Sequence, residues 1–302
     1  MVNKIKSGTQ PGGRPPAAVE LTPEGALAAA LPAAGEPPVY AFAPLAAGAL
    51  VPGIEEANLR APEAVAAAIG SALDQVSPRS RAVTLILPDS VVRVFVLDFD
   101  SLPAKPSESI PVLRFRLRKM VPFDVEHAGI SYQILSQTKT ECKVLTAVLP
   151  GPILAEYEGA VRAAGYEPGA VLPSSLAALE LADSLEAVLA ANLSSSAITT
   201  LIATGEDLLL YRTLDLPAAP AEQIAEIQRN IAVAAAYYED KLGAPPRELR
   251  YAGNCDVQEF AGLVGSNEFA VVELAPRPES GALTSLGQES IAAVTGALAG
   301  GR

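Results

Sequence analysis

The residues able to do chemistry are few, and their types exclude more than they suggest. The chain has 302 residues and one histidine, His127. One imidazole cannot build a multi-histidine metal site or an H-E-x-x-H helix. Beside Glu126 on a polar stretch, His127 reads as a surface side chain rather than a base. No phosphate-cradling G-x-x-x-x-G-K-[ST], no G-x-G-x-x-G and no nucleophile elbow G-x-S-x-G occurs. Cys142 and Cys255 lie too far apart in sequence to suggest a disulfide framework, and a reducing cytoplasm is the expected compartment. What remains is a cationic stripe, Arg114, Arg116, Arg118 and Lys119, able to meet anionic lipid or an acidic partner or to serve as a solvated helix end. Tyr237 and Tyr238 read as core packing, since Tyr238 falls on an apolar stripe.

Composition narrows the class further. Half of the residues are apolar, which describes a globular chain, and 302 residues favour two lobes over one compact unit. A net charge of −12 argues against nucleic acid, which needs a basic footprint. The opening MVNKIKSGT has no apolar run behind its cations, and no stretch of about 18 uninterrupted apolar residues follows, so neither a signal peptide nor a membrane span is expected.

The elements that must position these residues alternate in type. Residues 1–16 are rich in Gly and Pro and are expected to form a disordered arm. Strands are expected at Ala17–Leu21, Ala26–Leu31, Val39–Ala43 and Ala82–Leu87, with a helix at Pro62–Val76 whose Val65, Ile69, Leu73 and Val76 share one face. After the β-branched run Val91–Asp98, Ser107 or Ser109 is expected to cap a helix reaching about Met120, with Pro111 inside its first turn. Ile130–Leu135 and Lys143–Leu149 read as an antiparallel pair, and Pro152–Ala164 as a helix closed by Gly165. From Val188 the first pattern returns: strands at Val188–Leu193, Ile198–Ala203 and Leu208–Thr213, a long helix at Glu222–Leu242, and a strand at Arg247–Tyr251. A helix at Asp256–Val264, an edge strand at Phe269–Glu273 and a helix at Ser285–Leu298 complete the chain. Strand-strand-strand-helix-strand therefore occurs twice, with other material between.

Two stretches resemble a known family. Pro44-Leu45-Ala46-Ala47-Gly48-Ala49-Leu50-Val51 is similar to the P-L-P-x-G-A-I/V-V segment of PilM proteins. Arg114 to Glu126, reading RFRLRKMVPFDVE, resembles their helix ending in I-P-F-x-x-E. The resemblance covers about residues 17–298 and implies an α/β, actin-like fold, a duplicated ribonuclease H-like arrangement of two lobes. Residues 17–90 and 165–187 would form the first lobe, 91–164 an α+β subdomain inserted into it, and 188–302 the second. It also implies a cytoplasmic protein peripheral to the inner membrane, which binds the N-terminal tail of a PilN-like membrane protein within the type IV pilus assembly platform. Partner-binding residues by family position would be Arg114, Arg118 and Phe123.

The family generally holds ATP between its lobes, and here the sequence departs from it. The first phosphate turn, usually D-I-G-S-S-S-V-K, corresponds to Glu20-Leu21-Thr22-Pro23-Glu24-Gly25-Ala26-Leu27. Thr22 replaces the glycine, Leu27 the lysine, Pro23 removes an amide donor, and Glu24 places negative charge near phosphate. The second turn, usually D-I-G-x-x-x-T, corresponds to Asn192-Leu193-Ser194-Ser195-Ser196-Ala197-Ile198, where Asn192 cannot supply an anion to support Mg²⁺. Of the adenosine glycines one survives, in Ala252-Gly253-Asn254. The expected outcome is a scaffold without catalytic residues, with no cofactor or with residual ATP and Mg²⁺ held through Thr22, Ser194, Ser195, Ser196, Gly253 and Asn254. The alternatives are an ATP-binding regulator whose lobe closure alters partner affinity, and a GspL-like cytoplasmic domain of a type II secretion system.

Overall fold

The computed structural model describes residues 13–32, 36–182, 186–205, 207–265, 268–275 and 290–300. The arm assigned to residues 1–16 therefore lies mostly outside the described residues, as does the start of the helix expected from Ser285.

The first sheet has five strands in the order β3-β2-β1-β4-β8: β1 (Ala17–Thr22), β2 (Gly25–Ala30), β3 (Val39–Pro44), β4 (Ala82–Leu87) and β8 (Glu167–Pro173). β1, β2 and β3 form an antiparallel meander, whereas β4 runs parallel to β1 and β8 parallel to β4. The second sheet repeats this plan in the order β11-β10-β9-β12-β13, with β9 (Val188–Leu193), β10 (Ala197–Thr204), β11 (Asp207–Asp215), β12 (Glu248–Gly253) and β13 (Ala270–Glu273). A third sheet, β5-β7-β6, is antiparallel and joins β5 (Arg93–Phe99), β6 (Gly129–Gln137) and β7 (Cys142–Leu149).

Helices cover the sheets. α1 (Pro62–Val76) lays Val65, Ile69, Leu73 and Val76 on the first sheet, and α3 (Gly151–Ala163) packs beside it. On the other face lie α4 (Ser174–Leu179) and α7 (Ala292–Ala299), which packs on β1 and β2 although it follows the second sheet in the chain. Coverage of both faces explains why β2 reads GALAAA: all six residues are buried, and small side chains let two helices approach closely. α5 (Pro220–Leu242) covers the second sheet through Ile227, Ile231 and Ala234, and ends at Gly243, whose φ of 74° is the left-handed cap. α6 (Val257–Val264) starts on Asp256, which accepts hydrogen bonds from the backbone of Gln258 and Glu259.

The helix of the third sheet, α2 (Pro106–Leu117), differs from expectation. Neither serine caps it. Lys105 occupies that position, and Ser109 is buried, donating to the carbonyls of Pro103 and Lys105 at 2.7 and 3.0 Å. Pro111 consequently sits in the second turn, where its ring nitrogen removes the bond to the Ser107 carbonyl. The helix ends at Leu117, with a turn to Met120. β8 and α4, at 167–179, have no counterpart in the expected pattern. Their Pro168, Gly169, Pro173 and Ser174 read as loop, and only pairing with β4 makes the segment a strand.

Candidate functional site

The two large sheets present corresponding strand ends to one another, and between them lies a cleft with a cavity of about 50 Å³. Thr22, Ser194, Gly253 and Asn254 line it, so four of the six residues expected to hold nucleotide meet in one place. Ser195 and Ser196 do not line it. The rest of the wall includes Glu20, Glu24, Asp89, Ser174 and Asn192, and no lysine or arginine among the described residues.

The loops around the cleft bond some of their own polar groups. In the β1–β2 turn the Thr22 hydroxyl accepts from the Gly25 amide at 3.2 Å. Gly25 is glycine for a packing reason, because a Cβ there would collide with the Phe42 ring and the Ala43 carbonyl. In the β9–β10 turn, Ser194 Oγ accepts from the Ala197 and Ser196 amides at 3.0 and 3.3 Å. Asn254 donates its amide to Leu193 at 3.1 Å, and a Cβ on Gly253 would strike that carbonyl and the Tyr251 hydroxyl. The amides of Gly25, Ser196, Ala197 and Asn254 are thus bonded within the protein.

Beneath the cavity, a polar network crosses from the first sheet to the second. Ser174 donates to Glu20 Oε1 at 2.6 Å and accepts from Asn192 Nδ2 at 3.1 Å. Asn192 Nδ2 also reaches Asp89 Oδ2 at 3.0 Å, while Asp89 Oδ1 accepts from the Ser175 amide and hydroxyl at 3.0 and 2.9 Å. Ser175 Oγ lies 2.6 Å from the Tyr211 hydroxyl of β11. Glu20 is 7 % exposed, and burial, with Asp89 and Glu24 nearby, pushes its carboxyl up to about 7. Burial likewise raises Asp89, opposed by its four hydrogen-bond donors, and raises Tyr211 well above the ordinary phenol range. The Asn192 amide thus links the second sheet to Asp89 directly and to Glu20 through Ser174.

Asp89, Ser174, Ser175 and Tyr211 escaped the sequence reading. The signal for Asp89 was its place in Leu87-Pro88-Asp89, just past the carboxyl end of a parallel strand, where open α/β sheets gather ligand-facing groups. For the serines and Tyr211 no sequence signal existed.

The residues expected to touch a partner differ in exposure. Arg118 is exposed and ion-paired with Glu126. Arg114 is half-buried, with Nη1 enclosed and without a hydrogen-bond partner. Phe123 packs against the apolar core of α2 and the third sheet. His127 is exposed, its Nδ1 2.7 Å from Asp124 Oδ2. A separate apolar groove, about 70 Å³, runs where the third sheet meets α4 and the β10–β11 hairpin, lined by Leu135, Leu145, Leu176, Leu179 and Leu208 among others. One wall is β6, an edge strand of its sheet.

No family model and no curated protein matches the chain. Solved structures do. A Bacteroides thetaiotaomicron protein with an actin-like ATPase fold and unknown function aligns at TM-score 0.50 and 11 % identity, over 90 % of this chain and 94 % of that one. The fold defined by the duplicated sheets is thus the actin-like ATPase fold. Its particular form is that of a chain of the PilM–PilN type IV pilus biogenesis complex, which aligns at TM-score 0.73 and 18 % identity, over 95 % of this chain and 98 % of that one. The cytoplasmic domain of EpsL, an inner-membrane component of the Vibrio cholerae type II secretion system, aligns at TM-score 0.49 and 14 % identity over 78 % and 81 %. Among the described residues no helix is long and apolar enough to cross a membrane.

Proposed function

We propose that this chain is a scaffold of a type IV pilus assembly platform, which works at the cytoplasmic face of the inner membrane and binds the N-terminal tail of a PilN-like membrane protein. The observation that carries the reading is the near end-to-end likeness to a chain of the PilM–PilN complex, third sheet included. The cleft supports a scaffold over an enzyme. Its cavity of about 50 Å³ has room for a few waters, three carboxylates face it, and the Gly25 and Ala197 amides of its turns are already bonded. The leucine-lined groove beside β6 offers an extended tail apolar pockets next to an edge strand of the third sheet.

The test is a pair of thermal-shift titrations on the purified chain, one with a synthetic PilN-like tail peptide and one with Mg-ATP. A ligand at 100 times its Kd stabilises the folded state by about 2.7 kcal/mol. A shift with peptide alone, abolished by Leu179→Asp, supports the scaffold. A clear shift with Mg-ATP refutes the vestigial cleft and favours a nucleotide-gated regulator, for which the convergence of Thr22, Ser194, Gly253 and Asn254 on one cavity is the structural argument.

A further inference from the structure

The cations of this acidic chain are segregated. Between Arg93 and Lys143, which bracket the third sheet and α2, there are eight lysines and arginines against six aspartates and glutamates. The remaining residues carry 14 of the former against 28 of the latter, so one end of the molecule is weakly positive and the rest strongly negative. Such a charge dipole orients the molecule at an anionic surface with the third sheet and α2 foremost.

The outward face of α2 fits what an interface requires. Val112, Phe115, Arg116 and Lys119 follow the helical spacing and are all exposed, with Met120 in the next turn. The Phe115 ring is 72 % exposed and Met120 40 %, on a convex helix face rather than in a groove. Arg118 is held by Glu126 and Lys105 by Glu108, but among the described residues neither Arg116 nor Lys119 has a carboxylate in ion-pairing reach. An exposed aromatic flanked by two uncommitted cations matches the headgroup region of a bilayer, where the ring enters the acyl boundary and the cations meet lipid phosphate. An acidic protein would instead need a concave or apolar counter-surface, and a protruding ring would gain little from an extended acidic chain.

We propose that the outer face of α2 docks this protein directly on an anionic lipid bilayer, with Phe115 inserted and Arg116 and Lys119 on the headgroups. This is a second tether, independent of any protein tail. Two cations and one ring hold a surface weakly, so the contact adds to a membrane-anchored partner by restricting the chain to the same plane.

The experiment is co-sedimentation of the full chain, without peptide, with vesicles of phosphatidylcholine or of an equimolar phosphatidylcholine–phosphatidylglycerol mixture, at low and high salt. Binding is expected to the anionic vesicles only and to be lost at high salt. Neutralising Arg116 and Lys119 together, as R116Q/K119Q, should weaken it roughly 25-fold, at about five-fold per cation. F115S should weaken it as well, whereas R116K/K119R should retain it, because charge and not fork geometry is used. These side chains are exposed, so unchanged thermal midpoints certify folded variants. Absence of wild-type binding to anionic vesicles, equal binding to neutral ones, or indifference to R116Q/K119Q overturns the proposal. Capture by polyglutamate with no vesicle binding overturns it too, and reassigns the face to an acidic protein.

Discussion

Glu20→Gln tests the cleft network through its pH dependence. The Glu20 carboxyl titrates at about 7 in the folded chain against 4.5 for the unperturbed group. Between those values the folded state keeps a proton that the unfolded state has lost, so stability falls as pH rises through the window. The full loss, 2.5 units at 1.36 kcal/mol each, is about 3.4 kcal/mol once pH exceeds the folded value. Below 4.5 it vanishes.

Glutamine keeps the carbonyl oxygen that accepts from Ser174 and carries no charge at any pH. Relative to wild type it should therefore be more stable by about 1.4 kcal/mol near pH 5.5 and about 3.4 kcal/mol near pH 8.5. The change of about 2 kcal/mol between the two conditions is the diagnostic quantity, because a pH-independent packing cost of the substitution cancels in it. Asp89 is also raised, which makes stability fall with pH in the same direction, but it is present in both proteins. Paired thermal melts at the two pH values would resolve a change of this size as several degrees. A difference between variant and wild type that is constant with pH would refute a protonated, buried Glu20 at the floor of the cleft.

Other consequences follow from local geometry. Asn58 is buried and joins the amide of Gly53, the carbonyls of Gly53 and Glu56, and the Tyr157 hydroxyl, so Asn58→Ala should cost about 3 kcal/mol by leaving those groups unpaired, whereas Tyr157→Phe should cost only about 1 kcal/mol. Urea titrations of both and of the double variant would show coupling; strict additivity would contradict the shared bond. Pro111→Ala should stabilise the chain, by on the order of 1 kcal/mol, since it restores a donor in the second turn of α2 without burying anything. A lower melting temperature would mean that the proline fixes α2 in a way the hydrogen bonds do not reveal. Gly25→Ala, by contrast, should cost several kcal/mol or fail to fold, because the new methyl meets backbone as well as the Phe42 ring; limited proteolysis would report it.

The duplicated plan was readable because each of its strands and helices carries a local signal. β2 and β10 alternate with Gly- and Ser-containing turns, α1 and α5 show an apolar stripe at helical period, and Gly165 and Gly243 stand where helices must stop. The segment 167–179 carried none of these signals. Pro168 and Pro173 are breakers in isolation, tolerated because β8 lies at the edge of its sheet, where a ladder donor is dispensable. α2 was found but misplaced, since Ser107 and Ser109 both look like caps and only the loop carbonyls of Pro103 and Lys105 show where Ser109 points.

The cleft was legible in its ends and illegible in its middle for the same reason. Thr22, Ser194 and Gly253 could be located because each sits at a fixed offset from a strand. The network joins Glu20 to Ser174, Asp89 to Asn192 and Ser175 to Tyr211, pairs separated by 154, 103 and 36 residues. No periodicity spans such distances. Nor does a residue type announce its partner: Asn192 looked like a deleted charge, yet a third acid there would sit against Asp89 and near Glu20 in a buried space with no cation lining it. Asparagine instead donates to Asp89 directly and to Ser174, which in turn donates to Glu20. An Asn192→Asp variant should accordingly be strongly destabilised near neutral pH and partly recover as pH falls, the opposite of what an acid that supports a bound metal ion would do. Melting that variant with and without Mg-ATP separates the two accounts, since rescue by Mg-ATP would show a nucleotide site one substitution away, and rescue by protons alone a joint whose acids have become structural.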